Sequence, residues 1–380
     1  MKKILKYPLT IIFSIFILAA FIFDIIKPDK KFSEFENKNL TQRPKFTWQS
    51  LVSNKYTQNY EKYINDQFVG RDTWINLKSI SEMGLAKIEN NGIVYGKDGY
   101  MFDKLNTPDM ERLNKNMMYF QQFIEKYPDE HITVGIIPNS YEVLTDKVPM
   151  GLNNIDQTKY TNELFEKLEG NNLREIYFLE ALKPHKDEYI YYKTDHHWTT
   201  LGAYYAYAEY VRSLSMNPVA LEEIEDLSIY VDDFYGTYFN KSKHISAEAD
   251  TITVYKDIPV ESIEINGQRK DGLYDMYKFN TRDKYGAFLY GNNGQTVIKS
   301  SVNKYHKEGQ TSKIMVIKDS YANSFVPFLM YNFDEIHIID LRHFVPKMSL
   351  YLKENNFDEI LLMYNFKNFS EDTNIPKLRY

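Results

Sequence analysis

Lys313-Ile314-Met315-Val316-Ile317-Lys318-Asp319-Ser320 is an apolar run closed by polar residues. It reads as a short buried strand that stops at a loop. A helix candidate follows through Phe328. The same unit then repeats. Glu335-Ile336-His337-Ile338-Ile339 predicts a strand ending at Asp340-Leu341-Arg342, and residues 345–355 predict a helix. Glu359-Ile360-Leu361-Leu362-Met363 predicts a third strand, ending at Tyr364-Asn365. Upstream, Ile132-Thr133-Val134-Gly135-Ile136-Ile137 ends at Pro138-Asn139-Ser140. Residues 157–170 suit a helix, Glu175-Ile176-Tyr177-Phe178 a strand, and Thr199 to Leu214 a helix with Thr199 or Thr200 as N-cap. Strands alternating with helices predict an α/β fold with a mostly parallel sheet flanked by helices and joined by right-handed crossovers. In such sheets, function collects at the carboxyl ends of the strands.

Outward from these units the pattern changes. Residues 217–310 carry alternating pieces such as Thr251-Ile252-Thr253-Val254-Tyr255 among glycine-punctuated turns, which predict a β-rich insertion. Residues 108–127 suit a helix. Gly92 to Tyr100 suits a hairpin turning at Asp98-Gly99. From Tyr56 to Ile88, residues such as Tyr60, Ile64, Phe68, Trp74 and Leu77 predict a helix. Residues 27–55 are polar and read as a stalk, so residues 56–380 form the expected folded domain.

At the N-terminus, Lys2, Lys3 and Lys6 precede an apolar run from Tyr7 to Ile26, broken only by Asp24. Such a run nearly spans a bilayer core of about 30 Å. Positive charge ahead of it predicts a cytoplasmic tail at 1–6, a transmembrane signal anchor at 7–26 and an extracytoplasmic body. A cleaved signal peptide is the rival, but no clear small-residue cleavage site follows the run.

Composition narrows the class. Apolar residues make up 43% and charged residues 26% of the 380, so most of the chain is expected to be globular. The net charge of -6 comes without a basic block beyond the extreme N-terminus, which argues against nucleic acid as a partner. Cysteine is absent, which excludes disulfides, Cys-ligated zinc and a thiol nucleophile. The 32 tyrosines suit sugar rings, and they equally suit an ordinary core.

Three strand ends carry polar residues that could converge: Ser320, Arg342 and Asn365. The segment Thr194-Asp195-His196-His197-Trp198-Thr199 adds an acid and two imidazoles. Together these hold the groups for acyl transfer. A serine hydroxyl needs a base to take its proton, and that base needs a carboxylate to orient it. Asn365 and the backbone N–H of Ser320 could meet a developing oxyanion. Pattern alone also allows plainer roles: Asp319-Ser320 or Asp195 as helix caps, Asn365 as a turn residue, and Arg342 as an ion-pair partner. Adjacent histidines without a His-x-x-x-His spacing argue against a metal site.

Thr-Asp-His-His-Trp-Thr at 194–199 resembles the signature of the DHHW proteins, which are similar to the alginate O-acetylation proteins and their SGNH hydrolase domains. In that family an Asp-x-His pair lies upstream and the serine downstream, a circular permutation of the usual order. Asp195 and His197 match the pair. Lys318-Asp319-Ser320 matches the Gly-Asp-Ser block with lysine in place of glycine. Asn365 follows its strand as the SGNH asparagine does, without the usual surrounding wording. The resemblance implies a Ser320–His197–Asp195 triad, with Asn365 and Arg342 toward oxyanion and substrate, and no cofactor or metal. It implies an O-acetyltransferase at the cell membrane, supplied by a membrane-bound O-acyltransferase and acting on a polysaccharide of alginate or cellulose type. A carbohydrate acetylesterase and a non-catalytic glycan-binding subunit are the alternatives.

Overall fold

The computed structural model describes residues 7–33, 35–36, 38–225, 228–256 and 258–380, with the side chains of residues 25 and 225 outside that description. The chain divides into two compact units. One holds residues 1–90 with Asn240–Ser246, and the other holds Asn91–Phe239 with Ala247–Tyr380.

The second unit is built on a sheet of eight strands. In chain order they are β1 (Ile132–Ile137), β2 (Leu173–Tyr177), β3 (Val260–Ile265), β4 (Gln268–Lys270), β5 (Gln295–Ser300), β6 (Lys313–Lys318), β7 (Glu335–Ile339) and β8 (Glu359–Asn365). Across the sheet they run β4-β3-β5-β7-β6-β8-β1-β2. The pairs β7-β6, β6-β8, β8-β1 and β1-β2 are parallel. The pairs β4-β3, β3-β5 and β5-β7 are antiparallel. This is the mostly parallel α/β sheet that the apolar runs predict. Its central strands are covered on both faces, and all six residues of β1 are buried.

The expected insertion at 217–310 proves to be partly sheet. Ser228–Phe234 pairs with Asp250–Tyr255 as a separate antiparallel ribbon, while β3, β4 and β5 extend the main sheet beyond β7. Backbone groups of β7 that would face an open edge are thereby paired with β5. The helix expected after Ser320 is also broken. Ser320–Asn323 is a 3-10 turn and Val326–Leu329 a short helix, because Pro327 has no N–H to continue a ladder from the preceding turn. Helices Met110–Lys126 and Thr200–Ser213 form close to expectation. Ile93–Tyr95 and Met101–Asp103 pair as the expected hairpin, with Asp98 and Gly99 at positive φ of 56° and 80°.

In the first unit the single helix expected over 56–88 is two, Lys55–Gln67 and Arg71–Gly84. Gly70 between them sits at φ 66°, a left-handed conformation that glycine takes without steric cost. Asp66 ties the segment before this pair to it, accepting from Lys38 Nζ at 2.8 Å and from Thr41 N at 2.9 Å. Pro8–Ile26 is one helix of 19 residues. Among the described residues, no helix is long and apolar enough to cross a membrane.

Candidate active site

The acid and the imidazoles sit at the tip of a closed turn. Tyr191 and Trp198 face each other as an antiparallel bridge. Tyr192 N donates to His197 O at 3.2 Å, and Thr199 N to Ile190 O at 2.9 Å. Asp250 clamps the outgoing strand, accepting from Lys193 N at 2.7 Å and Thr194 N at 2.8 Å. Thr199 then caps the helix Thr200–Ser213. A sequence of alternating polar and aromatic residues thus becomes a rigid hairpin that carries Asp195, His196 and His197.

Asp195 Oδ1 meets His197 Nδ1 at 2.6 Å, and His197 Nε2 meets Ser320 Oγ at 2.8 Å. The hydroxyl and the imidazole are 123 positions apart in the chain. Asp195 Oδ1 also accepts from His197 N at 3.0 Å, and its Oδ2 from Thr237 N at 2.6 Å. That last approach needs Gly236, because a Cβ there would lie 2.2 Å from the Asp195 Cβ. Burial alone would raise the Asp195 pKa. The two neighbouring imidazoles and the N–H donors outweigh it and hold the carboxyl well below the usual range. Asp195 and His197 are buried, whereas Ser320 is half-buried and so within reach of a substrate.

The choice between the two histidines is decided by their partners. His196 Nδ1 meets Thr237 Oγ1 at 2.7 Å and lies 3.4 Å from Asp195 Oδ1, while only His197 reaches Ser320. Among the described residues, Asp195, His196 and His197 offer ligand atoms within 4.8 Å of one another. Both ring nitrogens of His197 are engaged with Asp195 and Ser320, so a metal would have to displace the bonds that orient this imidazole.

Four side chains with no assigned role in the sequence reading build the walls. The Tyr285 ring stacks on His197, centroids 3.8 Å apart and planes 11° apart. Its hydroxyl donates to Ser320 O at 3.1 Å and lies 3.2 Å from Ser324 Oγ. Trp198 Nε1 donates to Tyr321 O and to Ser324 Oγ, both at 3.0 Å. Tyr321 OH donates to His196 O. The tryptophan of the motif therefore ties the imidazole turn to the serine turn. Its place beside the Asp-His-His string was the only signal for it. Nothing local marks Tyr285.

Behind the serine lies a buried polar network. Asp319 Oδ1 accepts from Tyr321 N at 2.9 Å, and Oδ2 from Asn365 N and Asn368 Nδ2, both at 2.8 Å. Lys318, where a glycine was expected, is 2% exposed. Its Nζ donates to Asn323 Oδ1 at 2.7 Å and Asn292 Oδ1 at 2.9 Å, and lies 3.4 Å from Asp340 Oδ2. Burial outweighs the attraction of Asp340 and brings the Lys318 pKa down to about 8.

Asn365 and Arg342 are placed differently from the triad. Asn365 Nδ2 donates to Ile137 O at 3.1 Å, and its Oδ1 caps the helix Phe366–Glu371. Arg342 grips Asp340 with two bonds, Nε to Oδ1 at 2.8 Å and Nη2 to Oδ2 at 2.6 Å. Neither side chain is hydrogen-bonded to Ser320 or His197.

A family model described as DHHW protein matches residues 130–339, or 210 of the 380 positions. Asp195, His197 and Ser320 lie inside that span, and Arg342 and Asn365 lie outside it. No curated protein sequence matches the chain. Among solved structures, a DHHW family protein from Eubacterium siraeum superposes with a TM-score of 0.64 at 23% identity, covering 77% of this chain and 96% of that one. PatB1 of Bacillus cereus, determined with a sulfonyl adduct, superposes with a TM-score of 0.60 at 20% identity, covering 76% and 98%. A second structure of Bacillus cereus PatB1 gives a TM-score of 0.60 at 21% identity, covering 74% and 97%. At these identities the likeness is one of fold.

Proposed function

This chain belongs to the DHHW protein family, and we propose that it is a polysaccharide O-acetyltransferase working through an acyl-enzyme on Ser320. The observation that carries this reading is the unbroken chain of bonds from Asp195 through His197 to the Ser320 hydroxyl. His197 Nε2 takes the Ser320 proton as Oγ attacks the carbonyl carbon of an acyl donor. Asp195, ionised and fixed by two backbone N–H groups, stabilises the imidazolium. The donor's carbon–oxygen bond breaks, and His197 returns the proton to the departing oxygen. An acceptor hydroxyl then gives its proton to His197 and attacks the acyl carbon, the acyl–Oγ bond breaks, and His197 returns the proton to Ser320 Oγ.

Charge that builds on the carbonyl oxygen needs N–H donors. The proposed donors are the Ser320 N–H and Asn365 Nδ2, which keeps one hydrogen beyond its bond to Ile137 O. Arg342 is half-exposed and retains N–H groups beyond those on Asp340. It is the proposed contact for a polar acceptor.

The helix Pro8–Ile26 is the proposed single-pass anchor. Its Leu9, Ile12, Phe13, Ile15, Phe16 and Leu18 are all exposed, so apolar residues surround it, as a lipid-facing helix requires. Its 19 residues make about 28 Å of helix against a bilayer core of about 30 Å. The catalytic unit then lies outside the cytoplasm, where acyl groups must be supplied across the membrane. A membrane-bound O-acyltransferase is the proposed supplier and a cell-surface glycan of alginate or cellulose type the proposed acceptor.

Ser320→Ala, expressed in cells that make the glycan, is expected to abolish its O-acetylation as read by NMR of the purified polymer, while circular dichroism stays unchanged. Normal acetylation in that strain would reject the reading. A sulfonyl fluoride is expected to label Ser320 in the wild-type chain, as detected by mass spectrometry.

A further inference from the structure

The triad explains what His197 bonds to through its nitrogens, but not what lies against its ring. Tyr285 does, and no other described side chain stacks parallel to it at this distance. The Tyr285 ring is buried, with its plane within 11° of the imidazole at 3.8 Å. It is held there from both ends. Its hydroxyl bonds the serine turn at Ser320 O and Ser324 Oγ. Its own loop is anchored at Asn292, which accepts from Lys318 Nζ and from Asn323 Nδ2. Between these anchors Leu289 and Tyr290 adopt φ of 51° and 58°, a left-handed conformation that is strained for residues other than glycine. Such a loop keeps its shape only because the surroundings over-determine it.

We propose that Tyr285 is a positioning residue that favours the protonated form of His197 by presenting its ring face to the imidazole, and that it thereby sets the pH at which Ser320 is activated. The face of an aromatic ring carries negative potential, so it attracts a cation that is desolvated against it. His197 becomes such a cation when it takes the Ser320 proton. The attraction is therefore larger after proton transfer than before, which is the condition for lowering a barrier.

The other groups against His197 are Asp195 on Nδ1, Ser320 on Nε2, the Tyr321 ring at a centroid distance of 4.9 Å and the His196 ring at 3.8 Å. Among these described residues, Asp195 is the anion and His196 the one other group that can become cationic. Both are unchanged in any Tyr285 variant, so a difference between variants reports the ring. The Tyr285 hydroxyl stays a neutral donor, since burial raises its pKa far above the ordinary value.

This inference rests on the triad reading, and its test separates the two. The full chain in detergent, carrying 13C-labelled histidine, is titrated by NMR to read the His197 midpoint directly. The rate of Ser320 sulfonylation is followed over the same pH range. Tyr285→Leu keeps the apolar cover and removes the ring. It is expected to lower the His197 midpoint by roughly 0.4–1.5 pH units and to move the acidic limb of the sulfonylation profile by the same amount. Tyr285→Phe keeps the ring, so it is expected to slow labelling through the lost hydroxyl bonds while leaving the midpoint in place. Pentafluorophenylalanine at 285 keeps the shape and reverses the ring's charge distribution, so it covers the case in which the leucine variant does not fold. It is expected to give a downward shift at least as large. Equal midpoints in Phe and pentafluoro-Phe variants would overturn the proposal, as would a slower rate with an unmoved midpoint in the leucine variant. Absence of any labelling in wild type would sink the triad reading, and the NMR titration would still decide this one.

Discussion

Among the described residues, two acid–imidazole–hydroxyl chains can be compared, the one proposed as catalytic and one inside the sheet. In the first, Asp195, His197 and Ser320 are linked at 2.6 and 2.8 Å. In the second, Glu335 Oε1 meets His337 Nε2 at 2.6 Å and His337 Nδ1 meets the Tyr351 hydroxyl at 2.5 Å. The bond lengths alone do not distinguish them. Their settings do. His337 is in the body of β7, so its ring lies over a sheet face rather than at a strand end. Its hydroxyl partner is a phenol that also meets Gln295 Nε2 at 3.1 Å and is buried. Its carboxylate is paired with the Lys313 side chain, 3.3 Å away, where Asp195 is fixed by backbone N–H groups. Ser320 leaves the carboxyl end of β6 and is half-exposed. A short, well-made chain of hydrogen bonds is thus a structural device anywhere in a core, and becomes a chemical one where a hydroxyl reaches the surface.

The largest expected effect tests that distinction. His197→Ala is expected to reduce Ser320 labelling by about 10⁴-fold. His337→Ala is expected to change it less than about threefold, while lowering stability by about 1–3 kcal/mol in denaturant titration, because it strands Glu335 and Tyr351. An equal loss of labelling in both would erase the comparison. Gly236→Ala comes next. The added Cβ collides with Asp195, displacing the carboxylate from His197, and a fall of about 10²-fold in labelling is expected. Unchanged labelling would mean that fixed N–H donors are not what sets the first chain apart.

Two smaller effects concern stability against pH. The folded Lys318 pKa, about 8, lies below the unfolded 10.5. Between these values the unfolded chain binds the extra proton, so this group makes stability rise with pH from about 8 toward 10. Lys318→Met is expected to flatten that rise, as read by thermal melts across the window. For His337, burial lowers the pKa below 6.5 against the pull of Glu335. The unfolded chain then takes up its proton first as the medium acidifies, and stability falls below about pH 6.5. His337→Leu is expected to soften that loss slightly, and an unchanged acid limb would show that this imidazole titrates alike in both states.

How much of this was legible beforehand differs by element. The runs at 132–137, 313–318, 335–339 and 359–365 became β1, β6, β7 and β8, because a fully buried strand must be apolar along its length whatever its neighbours are. The identity of Ser320, His197 and Asp195 was legible from residue types and the Asp-His-His-Trp string. The pairing of β3 and β5 with β7 was not, since strands with alternating polarity give no sign of which edge they will join. The helix break after Ser320 was missed, because the expected helix through Phe328 ran across Pro327. Asn365 and Arg342 were visible at strand ends, but their side-chain partners, Ile137 O and Asp340, were not.

The chain by itself determined an α/β sheet with polar residues at its strand ends, and it named the acid, imidazole and hydroxyl on which the proposed acyl transfer rests. Both follow from local chemistry, in which an apolar run must be buried and a hydroxyl needs a base with an acid behind it. Tertiary structure alone decided that the His197 ring comes within hydrogen-bond reach of Ser320, that Lys318 goes inside, and that the Tyr285 ring lies on the imidazole. Those contacts join positions as far as 123 residues apart. Periodicity carries information only over a few turns of chain, so distant partners are settled by packing.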